Sequence, residues 1–87
     1  MKNTLFIGNP YRLIPGKVDK NQFMLIVSIS SIRSHKVISA LEEYFVYGGN
    51  RKEVCDNHQV NQGYLSLKIR RIQEVSLKIH HVSNYII

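Results

Sequence analysis

Histidine and cysteine are the first candidates for chemistry in this chain, and their spacing argues against a catalytic or metal site. His80 and His81 are adjacent, so on a helix their side chains would point about 100° apart, whereas a helical zinc site uses ligands four residues apart. Cys55 precedes His58 by three residues, and no second pair of ligands accompanies them. We therefore predict no catalytic residue, no metal ligand and no cofactor.

Basic residues point more clearly to a partner. Twelve Lys and Arg residues face six Asp and Glu residues, which gives a formal net charge of +6. Such an excess favours a polyanion, most often nucleic acid. The side chains that we expect to contact nucleic acid are Arg51, Lys52, Tyr64, Ser66, Lys68, Arg70 and Arg71. The cations would neutralise phosphates, and the Tyr64 ring would stack on an unpaired base.

A rigid sheet is predicted to present these residues. Apolar residues at positions 23, 25, 27 and 29 predict a buried strand over 23–32. In a strand over 64–72, the apolar residues at 65, 67 and 69 would lie on one face, and the expected nucleic-acid contacts at 64, 66, 68 and 70 would lie on the other. Weaker patterns predict strands at 4–8 and 50–60 and a hairpin turn at 61–63.

Two helices complete the predicted fold. Ser34 is a suitable N-cap for a helix over 34–47, whose apolar residues at 37, 38, 41 and 45 form one stripe, and Gly48-Gly49 would end it. A last helix carries apolar residues at 72, 75, 79, 82 and 86. The predicted fold class is α+β: an antiparallel sheet in the order ββαββα, with both helices on one face. We expect a single domain over residues 1–87, since this length leaves no room for a second core.

Two long segments resemble the later part of a LAGLIDADG homing-endonuclease domain. They are "QFMLIVSISSIRSHKVISALEEYFVYGGNRK", residues 22–52, and "YLSLKIRRIQEVSLKIHHVSNYII", residues 64–87. The positions that match the family's pattern are Leu41, Tyr44, Phe45 and Gly48-Gly49, with a loose echo at Asn84-Tyr85-Ile86-Ile87. The name-giving helix with its metal-binding acid is missing, since Asp19 is the only acid among the first 41 residues. The resemblance implies a degenerate half-domain that keeps a nucleic-acid-binding sheet.

Charge and resemblance together predict a non-catalytic RNA-binding protein. We expect a structural component of the mitochondrial ribosome, bound to rRNA beside other ribosomal proteins. A mitochondrial gene fits the composition, because eleven Ile, seven Asn and seven Lys residues have A/T-rich codons and Ala occurs once. One alternative is half of a split homing endonuclease or an intron maturase, completed by a second chain. Another is a protein–protein adaptor that pairs through its sheet edge.

A membrane partner is not expected. The apolar run at 23–32 is ten residues long, against about 20 needed to span a bilayer. No feature indicates a small-molecule substrate either.

Overall fold

The computed structural model describes residues 12–86, with side chains described to residue 82, and in this part of the chain there are four helices and no strand. The helices are α1 (Lys20–Ser30), α2 (His35–Phe45), α3 (Arg51–His58) and α4 (Gln62–Ile86). The predicted α+β sheet fold is therefore wrong. The strand predicted at 4–8 lies outside the described residues.

The segment predicted as a strand over 23–32 forms α1 instead. Asp19 is its N-cap, and the Asp19 Oδ2 atom accepts a hydrogen bond of 3.1 Å from the Gln22 backbone N–H. Its buried residues, at positions 23, 26, 27 and 30, follow a helical spacing. Leu25 and Ile29, expected in the core, are 60% and 53% exposed. Because the run is apolar at nearly every position, alternating and helical patterns both fit it, and the N-cap favours the helix.

The helix predicted over 34–47 is confirmed as α2. The Ser34 side chain accepts a hydrogen bond of 3.3 Å from the Val37 backbone N–H, as an N-cap does. Val37, Leu41 and Phe45 are buried along one stripe. The helix ends at Phe45, and Gly48 takes a left-handed conformation with φ +79° in the turn that follows.

The strands predicted at 50–60 and 64–72, and the turn between them, belong to α3 and α4. On α4 the buried side chains lie at 65, 69, 72 and 75, whereas Leu67 is 60% exposed. Positions 65 and 69 belong to both the alternating and the helical pattern, so the short segment fits either one. The helix predicted from residue 72 is present, but it begins at Gln62.

One apolar core joins the four helices. Phe23, Leu41, Phe45, Leu65 and Ile72 are completely buried in it. The rings of Phe23 and Phe45 pack with centroids 6.3 Å apart, which links α1 to α2. Among the described residues, every helix is too short or too polar to span a membrane.

Residues 12–19, here called the arm, precede α1. The backbone N–H groups of Gly16 and Val18 donate hydrogen bonds of 2.8 and 3.2 Å to the Phe45 carbonyl oxygen. That oxygen lies at the end of α2, where carbonyl groups lack a partner within the helix. Leu13 and Val18 are buried, so the arm is part of the packed structure.

Candidate nucleic-acid interface

The α3 and α4 helices form a unit with the features of a helix-turn-helix. The turn begins at Gln59, which is left-handed with φ 55°, and continues through the buried Val60. The Val60 N–H donates to the Cys55 carbonyl oxygen at 3.0 Å. The Asn61 side chain then caps α4 by accepting a hydrogen bond of 3.1 Å from the Tyr64 N–H. A short helix joined by a three-residue turn to a second helix has the element order of this motif.

All seven residues predicted to contact nucleic acid lie on these two helices. Arg51 and Lys52 open α3, and the other five are Tyr64, Ser66, Lys68, Arg70 and Arg71 on α4. Each is exposed or half-buried. The predicted open face of a sheet is therefore wrong. A helix turns by about 100° per residue, so Tyr64, Lys68 and Arg71 lie on one side of α4, and Ser66 and Arg70 lie on another.

Arg51 connects the two helices. Its Nη1 atom donates a hydrogen bond of 2.8 Å to the Ser66 hydroxyl oxygen. Its guanidinium carbon lies 5.6 Å from the centroid of the Tyr44 ring, within the range of a cation–π contact. Arg51 therefore has a defined orientation, although it is exposed.

Two further contacts orient the exposed side of α4. The Lys68 ammonium lies 5.1 Å from the centroid of the Tyr64 ring, one helical turn away. The Arg71 guanidinium lies 3.9 Å from the Glu74 carboxylate, with both groups about half exposed. Such a pair contributes little to stability and leaves Arg71 available to a stronger anion.

The surface of α4 is strongly basic. Lys68, Arg70, Arg71 and Lys78 are its cations, and Glu74 is its single acid. Lys68 and Arg71 lie one helical turn apart on one side of α4, and Arg70 lies on the side nearer Arg51. This arrangement can neutralise several phosphates at once.

Sequence reasoning missed Arg12 and Gln73. Both line a cleft of about 260 Å³ with Arg51, Ser66 and Arg70. Arg12 is brought there by the arm, from about 60 positions away in the chain. The available signal was weak: the first 18 residues contain three basic residues and no acid.

Glu43 and His58 connect α2 to α3. The Glu43 carboxylate lies 2.7 Å from the His58 Nε2 atom and accepts a hydrogen bond of 3.2 Å from Asn57 Nδ2. These contacts hold α3 against α2. No group of three or more His, Cys, Asp or Glu side chains that could hold a metal ion occurs among the described residues.

An all-helical fold with a basic α3–α4 unit is typical of small helix-turn-helix proteins. The model of the PapB family, described as adhesin biosynthesis transcription regulatory protein, matches residues 1–86. The chain belongs to this family. It is 60% identical to the "Regulatory protein FanB" of Escherichia coli over 86 residues, which cover 99% of this chain and 87% of that protein.

Two other comparisons agree with this family assignment. The chain is 43% identical to the "AFA-III adhesin operon regulatory protein" of Escherichia coli, over 80% of this chain and 69% of that protein. The crystal structure of Escherichia coli FocB superimposes with a TM-score of 0.79 at 33% identity, over 97% of this chain and 96% of that one. The all-helical architecture is thus shared with a solved structure.

These findings correct the family and function predicted from the sequence. The LAGLIDADG assignment is wrong, because it rests on core residues such as Leu41 and Phe45 that any amphipathic helix could supply. The predicted rRNA and ribosomal-protein partners, and the split endonuclease or maturase alternative, are wrong for a member of a transcription regulator family. The mitochondrial localisation is also wrong, since the relatives come from a bacterium. Those relatives are regulatory proteins, in keeping with the expectation of a non-enzyme.

Proposed function

We propose that this chain regulates transcription of an adhesin operon by binding duplex DNA through the α3–α4 unit. The observation that carries the proposal is a short helix and a tight turn before a second helix that presents Lys68 and Arg71 one turn apart and Arg70 beside Arg51. The family and the AFA-III relative are both described as regulators of adhesin genes, which supports the biological role.

Each predicted contact residue has a distinct role in this proposal. Lys68, Arg70 and Arg71 bind phosphates or base edges, since the first turns of a recognition helix lie closest to DNA. Lys52 binds the sugar–phosphate backbone from α3, because the first helix of the motif crosses it. The Tyr64 ring orients Lys68 through the 5.1 Å contact. Ser66 holds Arg51 in place through their hydrogen bond.

The proposed mode of action is binding without catalysis. A DNA-bound regulator needs affinity for DNA and a fixed orientation on it. The cations of the α3–α4 surface supply the affinity, and the contacts that orient Arg51 and Lys68 help to fix the orientation. Incubation of the purified chain with duplex DNA and Mg²⁺ should leave the DNA intact. Cleavage that co-purifies with the chain and follows its concentration would contradict this part of the proposal.

The main test measures duplex affinity at several salt concentrations. We expect non-specific duplex DNA to bind with a dissociation constant of about 10⁻⁴–10⁻⁶ M at physiological salt, and the control region of an adhesin operon to bind more tightly. The double variant Lys68→Ala/Arg71→Ala should lower affinity for all duplexes. It should reduce the slope of log K against log salt by roughly 0.9 for each phosphate that is no longer neutralised.

A matched control removes the same charge elsewhere. Lys20 and Lys36 lie in the first turns of α1 and α2, outside the α3–α4 unit and its cleft. Lys20→Ala/Lys36→Ala should leave the salt slope unchanged. An equal decrease in DNA affinity and salt slope in both double variants would mean that only the net charge of the chain matters. Unchanged DNA affinity in Lys68→Ala/Arg71→Ala would exclude this side of α4 as the binding surface.

A further inference from the structure

The cleft between the arm and the two helices of the α3–α4 unit contains three arginines. Arg12 comes from the arm, Arg51 from the start of α3 and Arg70 from α4, and Ser66, Ile69 and Gln73 complete the walls. The volume of about 260 Å³ is open to solvent and large enough for a phosphate group.

Gln73 fixes the position of the arm beside this cleft. Its Oε1 atom accepts a hydrogen bond of 2.9 Å from the Leu13 N–H, and its Nε2 atom donates one of 2.9 Å to the Leu13 carbonyl oxygen. This paired contact satisfies both backbone groups of Leu13. Arg12 is the preceding residue, so Gln73 fixes the backbone from which the Arg12 side chain extends.

No described acid neutralises the cleft. The ion pairs of the described residues join Lys20 to Glu42, His58 to Glu43 and Arg71 to Glu74, and none includes a cleft arginine. Three neighbouring cations repel one another, and an anion between them removes that repulsion. Guanidinium groups bind phosphate oxygens in a planar, two-bond geometry, so they suit this anion better than lysine would.

We propose that the cleft binds a backbone phosphate of duplex DNA, with Arg12, Arg51 and Arg70 as its ligands and Gln73 as a positioning residue. The proposal rests on the DNA-binding function proposed above and adds a contact from outside the helix-turn-helix. A phosphate held beside α4 would fix the orientation of the unit on the duplex, as backbone contacts do.

The test compares Arg12→Ala and Gln73→Met with the parent chain in duplex binding. Arg12 is exposed, so its removal should leave the melting temperature unchanged. We expect the salt slope to fall by about 0.9 and the affinity at 0.1 M salt to fall roughly 8-fold for every duplex sequence. Arg12→Lys, which keeps the charge without the two-bond geometry, should recover part of this affinity.

Gln73→Met removes both hydrogen bonds to Leu13 without changing the charge. It should reproduce the fall in salt slope, and the double variant Arg12→Ala/Gln73→Met should bind no more weakly than Arg12→Ala alone, because both changes remove the same interaction with phosphate. A merely structural role for Gln73 would lower stability without changing the salt slope. Fully additive decreases in affinity would overturn the positioning role.

Controls separate this proposal from the proposed function. Lys20→Ala removes one charge at the start of α1 and should leave the slope unchanged. If Lys68→Ala/Arg71→Ala weakens binding while Arg12→Ala does not, the cleft proposal fails and the DNA-binding proposal stands. If the parent chain binds no duplex, both fail. Saturable binding of inorganic phosphate, with DNA affinity unchanged in Arg12→Ala, would make the cleft a small-anion site and overturn the DNA assignment.

Discussion

At the scale of single residues, Cys55 shows how neighbours determine chemistry. Its side chain is only 5% exposed on α3. Burial raises the pKa of the thiol above the ordinary value of 9.0, and the nearby Asp56 carboxylate raises it further, while Arg51 lowers it. The thiol therefore stays protonated over a wider pH range than an exposed one, and the thiolate that reacts with oxidants is scarce.

We predict that Cys55 reacts slowly with a thiol reagent at neutral pH in the folded chain and rapidly in urea. The raised pKa also affects stability. Above pH 9.0 the unfolded thiol loses its proton while the folded one keeps it, so the free energy of unfolding should fall as the pH rises from 9.0 towards the folded pKa. In Cys55→Ala, which has no thiol, the free energy of unfolding should fall less over the same pH range. Equal reaction rates in water and urea would mean that the thiol is accessible.

The residue types of the candidate interface were predictable from sequence, and their partners were not. A surplus of Arg and Lys indicates a polyanion whatever the fold. Lys68 and Arg70 were selected because a strand would place them on one face, whereas on α4 they lie on different sides. Arg12 and Gln73 could not be selected, because their placement depends on a hydrogen bond between residues about 60 positions apart. Such a pairing depends on how the helices pack, which no local pattern reports.

At the scale of elements, the errors share one physical cause. Helical and alternating patterns differ only over long segments, and the misassigned runs are short or apolar at nearly every position. The correct α2 prediction had independent support from Ser34 at its start and a stripe of four apolar residues. Gln59 ends α3 and Asn61 caps α4, so these two residues mark the boundary between the helices. The sequence did not reveal this boundary, because Asn61 fits a hairpin turn as well as a helix cap.

The turn of the helix-turn-helix provides a test at this scale. Gln59 is left-handed, a conformation that costs about 1–2 kcal/mol for residues with a Cβ atom and little for glycine. We predict that Gln59→Gly raises the free energy of unfolding by up to about 1 kcal/mol. The gain is smaller than the relieved strain because glycine has more conformational entropy to lose when the chain folds. Gln59→Val should lower it, because a β-branched residue is strained there. Urea denaturation measures both, and a more stable Val variant would refute the turn geometry.

At the scale of the whole molecule, stability depends on a core that no single helix contains. Leu41 and Phe45 are completely buried where α2 meets the other helices. We predict that Leu41→Ala and Phe45→Ala each lower the free energy of unfolding by about 2–5 kcal/mol. Leu25→Ala, at a residue 60% exposed on α1, should change it by less than about 0.5 kcal/mol. Similar effects at the buried and exposed positions would contradict the packing.

If Arg12 binds a DNA phosphate as proposed, the close approach of Gly16 and Gly48 makes DNA recognition sensitive to two positions that carry no side chain. A Cβ atom on Gly16 would lie 3.1 Å from the Gly48 Cα atom, and both residues have positive φ. A single added methyl group would push the arm away from the turn after α2, and Arg12 would move with it. A genetic screen for defective regulation should therefore recover substitutions at these two glycines beside those at the arginines. Proteins with substitutions at these glycines would keep every charged residue of the binding surface and still be defective.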